Sequence, residues 1–360
     1  MATESPLRAA IVGVGQAQGK GSPTTGSFRI GYVHAQMYTR TPGFNLIAGA
    51  DINAENLRTF QQQFKVEHGY PSLGVMLHAE KPDVVSICTY VGLHLEMIRA
   101  CADAGVKGII CEKPFVNSPA QLREIRQVVA QSGIKIIVPH FRRYLKAFSR
   151  AKEIYASGEI GARVAVNAAI GDGWDLSEWG SHWLDMFRFF HDDRMPEWVL
   201  GQARVTTRRG FGHAMEDHAA VCMEFPGGGR AVLETGVHYL NDGVTMSLTG
   251  SRGAIVVLAE DKLRVYSDAG VREENYQGPD FVEAWCTMAA DFRDWVNGGA
   301  APPLGFDHVA DTAELNLGTY LSMVDSDRVE FPLRHTTNEW PVEELARRSA
   351  LSRTGPTFES

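Results

Sequence analysis

Two short stretches of this chain gather side chains that can carry charge or move a proton. The first is Glu112-Lys113-Pro114, directly behind the apolar run over 106–111. A run with isoleucine at 109 and 110 reads as a short buried strand, so a carboxylate and an ammonium stand together at its C-terminal end. Open α/β sheets bind ligands along that edge. The second is Glu178, His182 and Asp185, whose i, i+4, i+7 spacing places them on one face of a helix. Histidine is the side chain that changes charge near neutral pH. Trp174, Trp179 and Trp183 crowd the same segment. Their faces offer apolar surface with a polar edge, either for packing between helix and sheet or for stacking on a flat C–H patch of a ligand.

The elements that must position these residues follow from the apolar pattern. Residues 7–14 read as a buried first strand that ends in Gly13-Val14-Gly15. A literal G-x-G-x-x-G fails because Gln18 stands at the third glycine, and the pattern resumes at Ile30-Gly31 with helical spacing through Tyr38. Residues 16–29, rich in Gly, Ser and Thr, read as an insertion in a phosphate loop, where glycines let the backbone approach a pyrophosphate. The next strand, 46–52, carries Asp51 near its end, where a carboxylate takes ribose hydroxyls. A helix over 54–64, a strand over 83–89, a helix ending near Gly105, the strand into Glu112, a helix opened by Ser118-Pro119 and a strand over 134–139 complete a regular alternation. That alternation predicts a doubly wound parallel sheet.

Beyond Pro196 the pattern changes to β runs over 199–207, 218–225, 230–237, 244–249, 254–258 and 263–266, then helices over 281–296 and 308–323. This predicts an α/β chain: an N-terminal Rossmann domain over 1–143, an α+β domain with a mostly antiparallel open sheet over 144–335, and a tail over 336–360 with a helical stretch at 342–350. The tail could cross to a neighbouring subunit or wrap its own domain. At 360 residues two domains are the expectation. With 35 basic against 43 acidic residues the formal charge is −8, which argues against a general binder of nucleic acid or anionic membrane. No apolar run is long enough to span a bilayer, and an apolar strand beginning by Leu7 leaves no room for a signal peptide. Five scattered cysteines show neither a disulfide framework nor metal-ligand spacing, so a reducing cytoplasm and no metal are expected.

The ordered set Gly13-x-Gly15, Ile30-Gly31-x-x-His34, Asp51, 83–89, His94, Glu112-Lys113-Pro114, Arg142-Arg143-Tyr144, 158–161, His182-x-x-Asp185 and 250–253 resembles the glucose–fructose oxidoreductase, inositol dehydrogenase and rhizopine-catabolism (Gfo/Idh/MocA) family. The chain departs from it in the inserted loop and in Tyr90, which stands where the family has proline. The resemblance implies a nicotinamide-dependent oxidoreductase acting on a secondary hydroxyl of a sugar, glycoside or cyclitol. Gly13, Gly15, Ile30, Asp51, Thr89, His94, Glu112 and Lys113 would bind the cofactor. Lys113 and His182 would be catalytic, with Glu178, at the family's aspartate position, orienting His182. Arg143, Tyr144, Asp185 and Trp179 would bind substrate. NAD is expected over NADP, since Asp51 and Glu55 oppose a 2′-phosphate and no basic residue follows until Arg58. The family also suggests a homodimer or homotetramer through the sheet face. Two alternatives stay open: an NAD-assisted glycosidase using transient oxidation, and a non-catalytic sugar-sensing regulator.

Overall fold

The structure, a computed structural model, describes residues 5–16, 30–171, 173–237, 244–278 and 281–353. Of the insertion expected over 16–29, all but Gln16 lies outside these residues. Two compact units form, each from separate stretches of chain. The first takes Met1–Val116, Gln121–Lys146 and Gln277–Ala310; the second takes Asn117–Ala120, Ala147–Tyr276 and Asp311–Ser360. The chain thus leaves the first unit near Lys146, and residues 277–310 return to it rather than staying with the second domain.

The first unit is built on six parallel strands: β1 (Leu7–Val12), β2 (Phe44–Ala50), β3 (His68–Tyr70), β4 (Val84–Ile87), β5 (Gly108–Cys111) and β6 (Lys135–Ile137). Their order is β3-β2-β1-β4-β5-β6, the doubly wound arrangement. β4 and β5 are buried at every position, as unbroken apolar runs between helix layers must be. The strand order reverses between β1 and β4, and that is where this architecture opens a ligand crevice. Helices α1 (Ile30–Arg40), α2 (Ala54–Phe64), α3 (Leu73–Glu80), α4 (His94–Asp103) and α5 (Pro119–Ser132) follow their strands. α2 begins where expected because Asn53 Oδ1 accepts from the N–H groups of Glu55 and Asn56 at 2.9 and 3.2 Å. The returning helix Phe281–Val296, α8 in chain order, brings Trp285 edge-on to His34 of α1, with ring centroids 5.0 Å apart.

The second unit carries a nine-stranded sheet in the order β14-β13-β12-β11-β7-β10-β9-β8-β15. Its strands are β7 (Arg163–Gly171), β8 (Trp198–Gly210), β9 (His213–Phe225), β10 (Gly229–Val237), β11 (Val244–Gly250), β12 (Gly253–Ala259), β13 (Lys262–Ser267), β14 (Gly270–Asn275) and β15 (Val329–Glu330). β7 and β10 run parallel; the other pairs are antiparallel. β9 starts at His213, five residues before the strand read from the sequence. Phe211 and Gly212 both adopt positive φ, 51° and 85°, which gives a tight two-residue hairpin turn. A phenylalanine there gives no turn signal in the sequence. Helices α6 (Lys146–Ser157), α7 (Ser181–Phe190), α9 (Phe306–Asp325) and α10 (Pro341–Arg353) complete the described fold. α10 packs on its own unit: Glu343 accepts from the Ala214 N–H at 2.8 Å and pairs with Arg209, and Ser349 Oγ donates to the Val205 carbonyl. The described part of the tail, through Arg353, thus packs on its own unit. No described helix is long and apolar enough to cross a membrane.

Candidate active-site residues in each unit

In the first unit a cavity of about 350 Å³ opens at the switch point, and Gly13, Gly15, Asp51 and Thr89 all line it. Gly13 has φ 79°, and a Cβ there would lie 2.8 Å from the Cys88 carbonyl oxygen, so only glycine fits this turn. Gly31, in the first turn of α1, takes the place of the missing third glycine: a Cβ on it would lie 2.5 Å from the Val14 carbonyl oxygen. Helix α1 can therefore lie against the glycine turn, the close approach a dinucleotide needs. Asp51 follows β2 directly. Its Oδ2 accepts from the Gly15 N–H at 3.0 Å and its Oδ1 from the Asn53 N–H at 2.8 Å. The carboxylate thus ties the glycine turn to the end of β2, and the capping of α2 is left to Asn53. The lining contains no lysine or arginine among the described residues. A bare glycine cradle and a carboxylate at the ribose position fit NAD. Burial, with Glu112 nearby, pushes the Cys88 thiol well up, so this wall residue stays a neutral thiol.

Ile30, His94, Glu112 and Lys113 lie outside that lining and around it. Ile30 opens α1. The His94 ring spans two loops, with Nδ1 3.1 Å from the Phe115 carbonyl oxygen and Nε2 3.1 Å from that of Thr89. It holds the strand exits on either side of the edge. Glu112 directly follows β5 and is buried, and its Oε2 accepts from the Lys113 N–H at 3.2 Å. Its other oxygen is 3.0 Å from His34 Nε2, His34 Nδ1 is 2.8 Å from Ser86 Oγ, and Ser86 Oγ is 2.8 Å from Tyr38 OH. One proton arrangement satisfies the whole chain. Nε2–H donates to the carboxylate, the Ser86 hydroxyl donates to Nδ1, and the Tyr38 hydroxyl donates to Ser86. Glu112 is therefore held through α1 and β4, and the Lys113 backbone is held through Glu112. Arg143 and Tyr144 close a 3₁₀ turn of the same unit; Arg143 Nη2 lies 3.0 Å from His308 Nε2, and Tyr144 donates to Asp291 at 3.0 Å.

In the second unit Glu178, His182 and Asp185 do not share one regular helix. Leu176–Gly180 forms a π-helical turn ahead of α7. Its leading N–H groups are taken by side chains. Asp175 accepts from the Glu178 N–H at 3.0 Å, Glu216 from that of Leu176 at 2.5 Å, and the Tyr320 hydroxyl from that of Ser177 at 3.0 Å. The wide turn, with Gly180 N–H bonded to the Asp175 carbonyl at 3.0 Å, sets Glu178 off from the α-helical face of His182 and Asp185. All three are buried. Glu178 Oε1 lies 3.4 Å from Nε2 of His213, at the start of β9. Burial, then Asp175 nearby, pushes the Glu216 carboxyl up to about 7. Burial works against a charged His213, but the Glu178 hydrogen bond and the charges of Asp175 and Glu178 hold its pKa above the ordinary value. Trp179 stacks on Trp174 with centroids 4.8 Å apart and meets the His182 ring edge-on at 5.7 Å. Trp183 is instead fully buried against Phe148. Of the three tryptophans, two keep partly open faces.

Sequence reasoning missed His213, Asp175, Glu216 and the Tyr38–Ser86 arm. The polar run Glu216-Asp217-His218 interrupts the apolar pattern of 219–223, so no alternation carries β9 back to His213. No spacing rule links residue 213 to residue 178, which a separate element carries.

Residues 7–140 match the oxidoreductase family with an NAD-binding Rossmann fold, and residues 148–256 match the GFO/IDH/MocA C-terminal domain. The chain is 26% identical over 336 residues to D-apiose dehydrogenase of Paraburkholderia graminis, covering 85% of this chain and 87% of that one. It is 26% identical to D-glucoside 3-dehydrogenase of Escherichia coli K12, covering 65% and 71%. Among solved structures, levoglucosan dehydrogenase in complex with NADH superposes with a TM-score of 0.77 at 20% identity, covering 91% of this chain and 100% of that one. With the glycine cradle and Asp51 at the switch point, these matches make the chain a member of the Gfo/Idh/MocA family, an NAD-dependent oxidoreductase.

Proposed function

We propose that this protein oxidises a secondary hydroxyl of a sugar, glycoside or cyclitol, reversibly. The observation that carries the reading is Lys113, held at the carboxyl edge of the parallel sheet by a buried carboxylate, in a chain that also buries His182 beside a partly open tryptophan pair. NAD supplies the hydride acceptor. His182 takes the proton of the substrate hydroxyl as general base, and Lys113 donates to the same oxygen and stabilises its developing negative charge. Glu178 orients His182. Arg143, Tyr144, Asp185 and Trp179 contact the other hydroxyls and the apolar patches of the ring. The names of the relatives, dehydrogenases of D-apiose and of D-glucosides, support this substrate class.

The test is a panel of sugars, glycosides and cyclitols with NAD, following NADH formation and glycoside cleavage side by side. NADH in stoichiometric yield supports the dehydrogenase. Cleavage without net NADH would replace it with redox-assisted glycoside cleavage, and saturable sugar binding without either would replace it with a sensor. Lys113→Ala should lower turnover by a factor of about 10² to 10³ with NAD binding kept. Near-normal turnover would remove Lys113 from the catalytic set.

The five free cysteines fit a reducing cytoplasm. The open face of the nine-stranded sheet supports a homodimer or homotetramer. Leu200, Cys222, Val232, Asn167, Ser247 and Val256 form one cross-strand row on that face, and Leu200 and Val232 are 38% and 36% exposed. A row that is uncharged throughout and apolar at four of its six positions is the kind of surface a second copy would cover. Light scattering of wild type against Val232→Glu decides it.

A further inference from the structure

The C-terminal segment reaches the same buried cluster as Glu178. His213 is fully buried, with Nδ1 2.7 Å from the Ala214 carbonyl oxygen and Nε2 3.4 Å from Glu178 Oε1. With Glu178 ionised both partners are acceptors, and the ring then makes both bonds only as an imidazolium. Trp340, just ahead of α10, covers it, with ring centroids 4.3 Å apart and planes at 45°. An indole face stabilises a cation and keeps water off it. The seat of Trp340 is fixed from the other side: Glu343 accepts from the N–H of Ala214, the residue next to His213, and from Arg209 Nη2 at 2.7 Å. The charged groups around the ring are Glu178 and Asp175 from the π-helical turn, Glu216 on its own strand, and the Glu343–Arg209 pair.

We propose that His213 and Trp340 are positioning residues for Glu178. The imidazolium of His213 holds the Glu178 carboxylate, Trp340 shields that pair from water, and the C-terminal segment is thereby a working part of the Glu178–His182 cluster. This rests on the reading that Glu178 acts on His182. The pair has a direction of effect. A carboxylate already neutralised by His213 pulls less on a proton at His182, which keeps His182 free to act as a base. Removing the positive charge releases the full charge of Glu178 onto His182, and the base becomes harder to deprotonate.

Three readouts on the full-length protein test this. In a nitrogen-15 NMR titration His213 should stay protonated to higher pH than a free histidine, and Glu178→Gln should lower its midpoint by roughly one unit. His213→Gln should move the acidic limb of the oxidation rate to higher pH, and Trp340→Ala should do the same less strongly, with kcat down about tenfold and NAD affinity unchanged. Trp340→Phe should restore most of kcat, because it keeps an aromatic face over the ring. Thermal melts of all variants separate misfolding from loss of position. The proposal is overturned if the His213 titration is the same in Glu178→Gln, or if well-folded His213→Gln and Trp340→Ala keep the wild-type kcat and pH profile. Wild type that oxidised nothing in the substrate panel would overturn the sugar-oxidation reading, and the NMR titrations would still decide whether Glu178 and Trp340 hold His213.

Discussion

Replacing His34 with phenylalanine tests how the first unit holds Glu112. The ring is fully buried and Glu112 is 5% exposed, and their contact is 3.0 Å. Phenylalanine keeps the packing against Trp285 and removes both nitrogens. Glu112 is then left with the Lys113 N–H at 3.2 Å, and Ser86 loses its acceptor. Losing the hydrogen-bond donor of a buried carboxylate costs about 1.5 to 3 kcal/mol, because the remaining charge stays buried. That is a large fraction of the about 5 to 15 kcal/mol that keeps a domain folded. Replacing both partners with apolar residues should cost much less, since no charge is then stranded. The assay is urea unfolding followed by near-UV circular dichroism on His34→Phe, Glu112→Leu and the double variant. The two single costs should exceed the double cost by about 2 kcal/mol or more. Additivity within about 0.5 kcal/mol would refute the coupling and reduce the contact to packing.

Two further outcomes follow from the same geometry. Asp51→Ala should erase much of the preference for NAD over NADP, because it removes the charge that opposes a 2′-phosphate. It should also weaken NAD itself about tenfold or more through loss of the tie to Gly15, so equal loss with both cofactors would show that the carboxylate only braces the turn. His191 donates from Nδ1 to the Phe187 carbonyl at 2.7 Å and stacks on Phe225, and burial lowers its pKa from 6.5 to about 4. The folded state therefore binds fewer protons than the unfolded chain between those values. The stability this contributes is full above the unfolded value and is lost as pH falls through the folded one, about 3 kcal/mol in all. Unfolding of wild type and His191→Phe between pH 7 and 4 checks it: a parallel decline in both would mean that His191 is not the group responsible.

Much of this molecule was legible in its sequence. Alternating apolar runs and amphipathic segments specify a parallel sheet through local physics, since strand burial and helix periodicity are set by neighbours in the chain. The helix over 54–64 and the helix over 281–296 appear with the expected bounds for that reason. The order Gly13, Gly15, Asp51, Thr89 was enough to place four residues around one cavity, because each sits at the carboxyl end of a strand and the sheet brings those ends together. What pairs across the fold was not legible. Whether residues 277–310 belong to the first or second unit depends on which core their apolar face can bury against, and both readings satisfy the helical pattern. The partner of Glu178 is decided by a hairpin turn at Phe211-Gly212, a π-helical turn and a C-terminal tryptophan, three features distant in sequence. Burial then decides their charge: the same histidine and carboxylates in water would titrate independently, and only the packed interior makes the proton on one depend on the others.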